Sequence, residues 1–131
     1  MKTYKTLILE DDLETVGKLM IGLHKLENEL PVAFDVTSLS TYKAVEALIN
    51  PQEASAYDLV LLDRDCKLGG SFQVLDMERF GVDKIISISS TPQWNKEAQA
   101  RGVKRVVLKD FINLDSFVND VMSEIRDLIH E

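Results

Sequence analysis

The chain has 131 residues, of which 45% are hydrophobic and 28% are charged, and its net charge is −7. This length suits one domain with a proper core, and an acidic balance without a Lys/Arg cluster argues against direct nucleic-acid binding. The chain lacks the roughly 20-residue apolar run of a membrane span and the h-region of a signal peptide. Its single cysteine excludes an intrachain disulfide. We therefore predict a cytoplasmic protein without membrane contact.

Short apolar runs and helical patterns alternate along the chain. In chain order the predicted elements are a strand at 5–10, a helix with apolar residues from Val16 to Leu26, a strand at 31–39, a helix over Ala44 to Ile49 that ends before Pro51, a strand at 58–63, a helix over 71–81 with Gly81 as its cap, a strand at 83–90, a helix that begins after Thr91 and ends at Gly102, a strand at 104–110, and a helix with one apolar stripe from Leu114 to Ile129. Strands that are apolar on both faces are typical of a parallel sheet.

The repeated order of strand and helix predicts the fold class. Two stretches, "FGVDKIIS" and "RGVKRVVL", share one construction: a helix end, glycine, valine, two polar or charged residues and a strand. No linker interrupts the chain, so we predict a single domain over residues 1–131. Right-handed crossovers then give a doubly wound α/β sandwich with a five-stranded parallel sheet. Ligands of such sheets bind at the carboxyl ends of the strands.

Polar residues follow four of the predicted strands at these ends. They are Glu10, Asp11 and Asp12 after the first strand, Asp63 and Asp65 after the third, Ser89, Ser90 and Thr91 after the fourth, and Lys109 at the fifth. Clustered carboxylates repel one another, and Mg²⁺ is a natural partner because it prefers one or two carboxylates together with water and phosphate oxygens. Carboxylates, a hydroxyl and an ammonium are also the groups that phosphoryl transfer to an aspartate requires.

At these positions the sequence resembles the receiver domain of two-component response regulators. The resemblance covers essentially the whole chain and rests on "LILEDD", "YDLVLLDRD", "IISISS" and "GVKRVVLKDF". It implies a flavodoxin-like (βα)5 fold with strand order 2-1-3-4-5. It also implies a signalling domain rather than an enzyme, with a sensor histidine kinase or phosphotransfer protein as phosphodonor and a downstream protein or output domain as target. The apolar stripe of the last helix is interpreted first as core and second as the surface of a weak homodimer.

The resemblance also implies a role for each matched residue. Asp63 is the expected phosphoacceptor. Asp11 and Asp63 are the expected direct ligands of Mg²⁺, with the backbone carbonyl of Asp65 as a third protein ligand and Glu10 acting through water. Ser89 and Lys109 are expected to contact the phosphoryl group. Ser90 competes with Ser89 for this contact because "SISST" leaves the register open by one residue, and Thr91 is a third candidate.

Two departures from the family leave alternatives open. Asp110 stands where most receivers have proline after the lysine, and the fifth strand offers Arg105, Val106 and Val107 where an aromatic switch is usual. A receiver-like protein-binding module that is never phosphorylated is therefore one alternative. A second is a phosphatase of the haloacid-dehalogenase type, because Asp63 and Asp65 form an Asp-x-Asp motif after an apolar strand. The position of the acidic cluster before that motif argues against the phosphatase.

Overall fold

The computed structural model describes residues 1–49 and 51–130; Asn50 and Glu131, which the predicted single domain includes, lie outside the described residues. The elements are β1 (Lys2–Leu9), α1 (Leu13–Glu29), β2 (Val32–Leu39), α2 (Tyr42–Leu48), β3 (Leu59–Leu62), α3 (Met77–Phe80), β4 (Ile85–Ser87), α4 (Pro92–Ala100), β5 (Arg105–Val106) and α5 (Leu114–Ile129), with 3-10 turns at Pro51–Ala56, Phe72–Val74 and Val82–Lys84. Within the described ranges, no helix combines the length and apolar character needed to cross a bilayer.

The five strands form one parallel sheet in the order β2-β1-β3-β4-β5. This confirms the predicted flavodoxin-like α/β fold and its strand order. The order changes direction between β1 and β3, which are direct neighbours and pair from Thr6 opposite Leu59 to Leu9 opposite Leu62. A ligand of such a sheet binds in the crevice where the order reverses. The topology therefore places the residues after β1 and β3 at the expected binding position.

Each central strand buries side chains on both faces of the sheet, which explains why β3 has no polar residue. Along β3, Val60 and Leu62 pack into one core, and Leu59 and Leu61 pack into the other. The first core also contains residues of α2, α3 and α4. The second contains residues of α1 and α5, among them Phe117, whose side chain is fully buried. Alternate residues of a strand point to opposite faces, so a continuous apolar run is what a sheet covered on both sides requires.

The single helix predicted over 71–81 is wrong. The chain instead forms a 3-10 turn at Phe72–Val74 and a one-turn helix at Met77–Phe80, separated by Leu75 with an extended ψ of 138°. The Arg101 guanidinium donates hydrogen bonds to the backbone carbonyls of Gln73 and Leu75, the second at 2.7 Å. These carbonyls would accept from residues 77 and 79 in a continuous helix, so a distant arginine replaces the helical bonds. The predicted cap at Gly81 is confirmed, with a φ of +97°.

The last two strands are shorter than predicted, because β4 covers Ile85–Ser87 and β5 only Arg105–Val106. Their pairing nevertheless continues toward the carboxyl edge. The Val107 N–H donates to the Ser87 carbonyl at 2.8 Å, and the Lys109 N–H donates to the Ser89 carbonyl at 3.0 Å. The backbone of Lys109 is therefore fixed beside that of Ser89.

Candidate functional site

Three carboxyl groups meet at the carboxyl edge of the sheet. Glu10 and Asp11 follow β1, and Asp63 follows β3, where its N–H donates to the Leu9 carbonyl at 2.9 Å. One oxygen from each of Glu10, Asp11 and Asp63 lies within 4.8 Å of the others. Glu10 is fully buried and Asp63 is 2% exposed, whereas Asp11 is half-buried. The strand register thus brings together the acids that the sequence predicted for a metal site.

Lys109 supplies the cation for this cluster. Its side chain is 2% exposed, and its Nζ donates to Asp63 Oδ2 at 3.0 Å and to Glu10 Oε1. Glu10 Oε2 also accepts from the N–H groups of Asp11 and Asp12, at 2.8 and 3.2 Å. A buried charge is tolerated only when it is paired and hydrogen-bonded. The ammonium is therefore held between two carboxyl groups rather than directed to solvent.

The pKa values of Glu10 and Lys109 are both raised in this cluster. Burial, together with the neighbouring Asp63, raises the pKa of the Glu10 carboxyl from 4.5 to about 8, against the opposing effect of Lys109. Burial alone would lower the pKa of Lys109, but Asp63 and Glu10 together raise it above its usual range. The Glu10 carboxyl group therefore gives up its proton less readily than an ordinary glutamate does. A bound cation would favour the ionised form of these carboxyl groups.

Asp12 and Asp65 serve other contacts. Asp12 is the N-cap of α1, where its carboxylate accepts from the N–H of Thr15 at 3.1 Å and from its hydroxyl at 2.6 Å. The Thr15 hydroxyl lowers the pKa of Asp12. The carboxylate of Asp65 pairs with Arg64 at 3.1 Å and is 57% exposed, while its backbone pairs with Ser71 in an isolated antiparallel bridge. The side chain of Asp65 therefore does not join the group formed by Glu10, Asp11 and Asp63.

The hydroxyl candidates differ in burial. Ser89 is 2% exposed, and its hydroxyl accepts a hydrogen bond from the Thr91 N–H at 3.1 Å, which leaves the hydroxyl proton free to donate elsewhere. Ser90 and Thr91 are half-buried. Thr91 precedes α4, with Pro92 at the first helical position as predicted, but its side chain makes no capping bond. Ser89 lies next to Lys109 through the backbone bond described above, so the register favours Ser89.

Sequence reasoning missed Asn95, which lies behind Ser89. This side chain is 6% exposed in α4 and bonds to both β4 and the end of β5. Its Oδ1 accepts from the Ser87 hydroxyl at 2.7 Å and from the Ser89 N–H at 3.2 Å. Its Nδ2 donates to the carbonyls of Ser89 at 3.4 Å and Val107 at 3.2 Å. One signal was available: Asn95 and the buried Ala98 have helical i, i+3 spacing, which places an amide on the core face.

A second missed contact joins the loop after β3 to α4. The Arg64 guanidinium lies 3.9 Å from the centroid of the Trp94 ring, and the Arg64 N–H donates to Asp63 Oδ1 at 2.8 Å. Gln73 Nε2 donates to the Trp94 carbonyl at 3.0 Å. Stacking of a guanidinium on an indole is a favourable cation–π geometry. The residue after the phosphoacceptor candidate is thus fixed against α4.

The oxygen donors fit a hard divalent cation. Carboxylate oxygens from Glu10, Asp11 and Asp63 converge, and no sulfur or imidazole ligand belongs to this group among the described residues. Mg²⁺ and Mn²⁺ both suit such oxygen sites. Asp11, the most accessible of the three, leaves the cluster open on the solvent side. The residues present therefore suit a divalent metal ion that prefers oxygen ligands.

Comparison with known proteins identifies the fold. The chain is similar to the phosphorylated cyanobacterial phytochrome response regulator RcpA (15% identity, 95% of this chain and 92% of that chain, TM-score 0.67). It is similar to the Mn²⁺-bound form of response regulator Rcp1 (16% identity, 92% of each chain, TM-score 0.67). It is also similar to the CheX-CheY-BeF3-Mg²⁺ complex from Borrelia burgdorferi (22% identity, 93% of this chain and 89% of that chain, TM-score 0.63).

No family model matches the chain, and no curated protein matches its sequence. The similarity is therefore carried by the backbone, and it shows that the chain has the fold of response-regulator receiver domains. This similarity of fold assigns no role to an individual residue of the chain.

Proposed function

We propose that this chain is a phosphoacceptor signalling domain that takes a phosphoryl group on Asp63 in the presence of Mg²⁺. One observation carries the proposal: a buried lysine ammonium is hydrogen-bonded to Asp63, which is one of three clustered carboxyl groups at the point where the strand order reverses. A structural ion pair would not need the half-buried Asp11 or the neighbouring Ser89 hydroxyl. Together these groups are the set that an aspartyl phosphate requires.

The proposed chemistry uses the Asp63 carboxylate as nucleophile. A carboxylate oxygen forms a bond to phosphorus while the bond from phosphorus to the donor's leaving oxygen or nitrogen breaks, and the electron pair departs with the donor. Lys109, already 3.0 Å from Asp63 Oδ2, pairs with negative charge on the phosphoryl oxygens. The Ser89 hydroxyl donates a hydrogen bond to another phosphoryl oxygen. Asp63 is held in position by the Arg64 N–H and by its own backbone bond to Leu9.

The metal is part of the proposal. Asp11 and Asp63 would bind Mg²⁺ directly, the backbone carbonyl of Asp65 would be a further ligand, and Glu10 would act through water. When bound, the ion neutralises charge on the oxygens of the phosphoryl group. The similar structures include a phosphorylated response regulator, a response regulator with Mn²⁺, and a CheY complex with BeF3 and Mg²⁺. These are properties of those proteins, and they support the proposal for this chain.

We further propose a sensor histidine kinase or phosphotransfer protein as the phosphodonor and a downstream protein or output domain as the target. Proteins with this fold include CheY, which is seen in complex with CheX. The domain would act as a switch and catalyse no reaction beyond its own phosphorylation and dephosphorylation. The phosphatase alternative gains no support, because the Asp65 carboxylate that it requires pairs with Arg64.

Intact-mass spectrometry after incubation with Mg²⁺ and acetyl phosphate tests the proposal. The wild-type chain should gain one phosphoryl group, Asp63→Asn should gain none, and chelation of Mg²⁺ by EDTA should abolish the gain. Asp65→Asn is the matched control: it removes a neighbouring carboxylate that points to Arg64, so the gain should persist. An equal gain in Asp63→Asn would overturn the assignment. Mg²⁺ binding by a wild-type chain that is never phosphorylated would favour the binding-module alternative.

A further inference from the structure

We infer that Asn95 is a positioning residue that holds the two phosphoryl-contacting groups, Ser89 and Lys109, in one arrangement; this inference rests on the proposed function. The Asn95 amide bonds to both backbone groups of Ser89, the N–H at 3.2 Å and the carbonyl at 3.4 Å. The same carbonyl accepts the Lys109 N–H at 3.0 Å. A single amide thus fixes the residue that bears the hydroxyl, and that residue fixes the backbone that bears the ammonium.

The bonding pattern determines which way the amide points. The Ser89 N–H can only donate, so it requires the Asn95 oxygen, while the carbonyls of Ser89 and Val107 can only accept, so they require the nitrogen. A flipped amide would lose all three bonds. The Ser87 hydroxyl, which also donates to the oxygen at 2.7 Å, is compatible with this orientation. Asn95 therefore supplies a partner to the Ser89 N–H and to the Val107 carbonyl, while the Ser89 carbonyl is shared with the Lys109 N–H.

This arrangement answers a specific need of this chain. The β4–β5 ladder covers two residues of each strand, and beyond it the N–H groups of Val107 and Lys109 bond to the carbonyls of Ser87 and Ser89. The hydroxyl of Ser89 and the ammonium of Lys109 both lie at this end of the sheet. A shift of about 1 Å in such groups can lower a rate by about 100-fold. Asn95 adds side-chain bonds to these two backbone bonds.

The proposed metal ligands do not lie on the strands that Asn95 joins, so Mg²⁺ binding and phosphorylation can report separately on the role of Asn95. Glu10 and Asp11 follow β1, and Asp63 follows β3; none of them bonds to Asn95. Replacement of Asn95 should therefore slow phosphorylation while Mg²⁺ affinity stays unchanged. A merely structural role would lower both together, or neither in the folded protein.

The experiment measures the phosphorylation rate at saturating acetyl phosphate, and the Mg²⁺ affinity separately, in Asn95→Ala. We expect the rate to fall about 10- to 100-fold, with Mg²⁺ affinity within about twofold of wild type. Ser87→Ala is the matched control: it removes one bond to the same amide and none to Ser89, so its rate should stay within about threefold. Asn95→Ser, which is small and neutral and also loses the bonds from Nδ2, gives the same comparison if Asn95→Ala does not fold.

Two outcomes overturn the inference: a folded Asn95 variant that is phosphorylated within about threefold of the wild-type rate, or one whose rate and Mg²⁺ affinity fall in equal proportion. If the wild-type chain itself gains no phosphoryl group, the proposed function fails, and amide hydrogen exchange then decides the inference. Exchange at the N–H groups of Ser89 and Lys109 should accelerate in Asn95→Ala while that of Asp63 does not change. Equal exchange in both proteins would overturn it.

Discussion

Replacing Lys109 with methionine should lower the free energy of unfolding by about 3–5 kcal/mol, because removal of one partner leaves a buried charge uncompensated. The Lys109 side chain is 2% exposed, and the side chains of Glu10 and Asp63 are 0% and 3% exposed. Methionine retains most of the apolar stem, so the loss comes from the charge. A strand-end lysine that reached solvent would instead change stability by at most about 1–2 kcal/mol.

A second substitution identifies which carboxyl group causes the loss. The raised pKa of Glu10, about 8, favours its neutral form, so we expect Asp63 to be the charge that is left without a partner. Asp63→Asn should therefore restore about 2–3 kcal/mol to the Lys109→Met protein, within the range of coupling between contacting residues. Glu10→Gln should restore much less, because it replaces a group whose raised pKa favours the neutral form.

Urea unfolding at neutral pH in EDTA measures these differences. A domain of this size typically has about 5–15 kcal/mol of stability, so a folded baseline remains over most of that range. Lys104→Met is the control: Lys104 is 81% exposed and pairs with Asp83 at 3.6 Å, so its loss should be below about 0.5 kcal/mol. The reasoning is refuted if Lys109→Met is no more destabilising than Lys104→Met. It is also refuted if Glu10→Gln rescues stability better than Asp63→Asn.

Two further predictions concern proton binding and helix packing. Because the pKa of Glu10 is raised from 4.5 to about 8 in the folded protein, the metal-free protein should lose stability as pH rises through this window. Urea midpoints measured across the window should fall less steeply with pH in Glu10→Gln than in wild type, and an equal fall in both would contradict the raised pKa. Gly17→Ala should raise the unfolding free energy by up to about 1 kcal/mol, because the position is an exposed helix interior with nothing within 4 Å of the new Cβ. Gly22→Ala should gain less unfolding free energy, because its Cβ would lie 3.0 Å from Met122 side-chain atoms. Thermal unfolding compares the two variants, and equal gains in stability would refute the close packing of α1 against α5.

The sequence was sufficient for the architecture because the central strands are largely apolar where they pair and four of the five strands are followed by chemically distinctive residues. In β3, a run without polar residues required cover on both faces, and the two cores confirm it. The acids after β1 and β3 could be placed together because parallel neighbours end at the same edge of a sheet. The family resemblance then supplied the strand order.

Contacts between distant side chains and backbone groups could not be predicted in the same way. Nothing near residues 71–81 indicates that Arg101 occupies the carbonyls of that segment, so the local pattern gave a helix. Likewise the composition around Asn95 resembles that of an ordinary short helix, and only the packing of α4 shows that its amide joins two strands. In the sequence, Asp12 cannot be distinguished from its neighbours Glu10 and Asp11, and only its bond to Thr15 identifies it as a helix cap.

The bonds from Arg101 join the segment from Ser71 to Leu75 to the end of α4. Besides the bridge at Ser71, the segment is held by side-chain bonds such as the one from Gln73 to Trp94. Loss of these bonds would loosen a segment that carries the buried Phe72 and Leu75, while the pairing of the sheet would remain. The rate at which a protease nicks the native protein here would then depend on how long a single surface arginine stays in place.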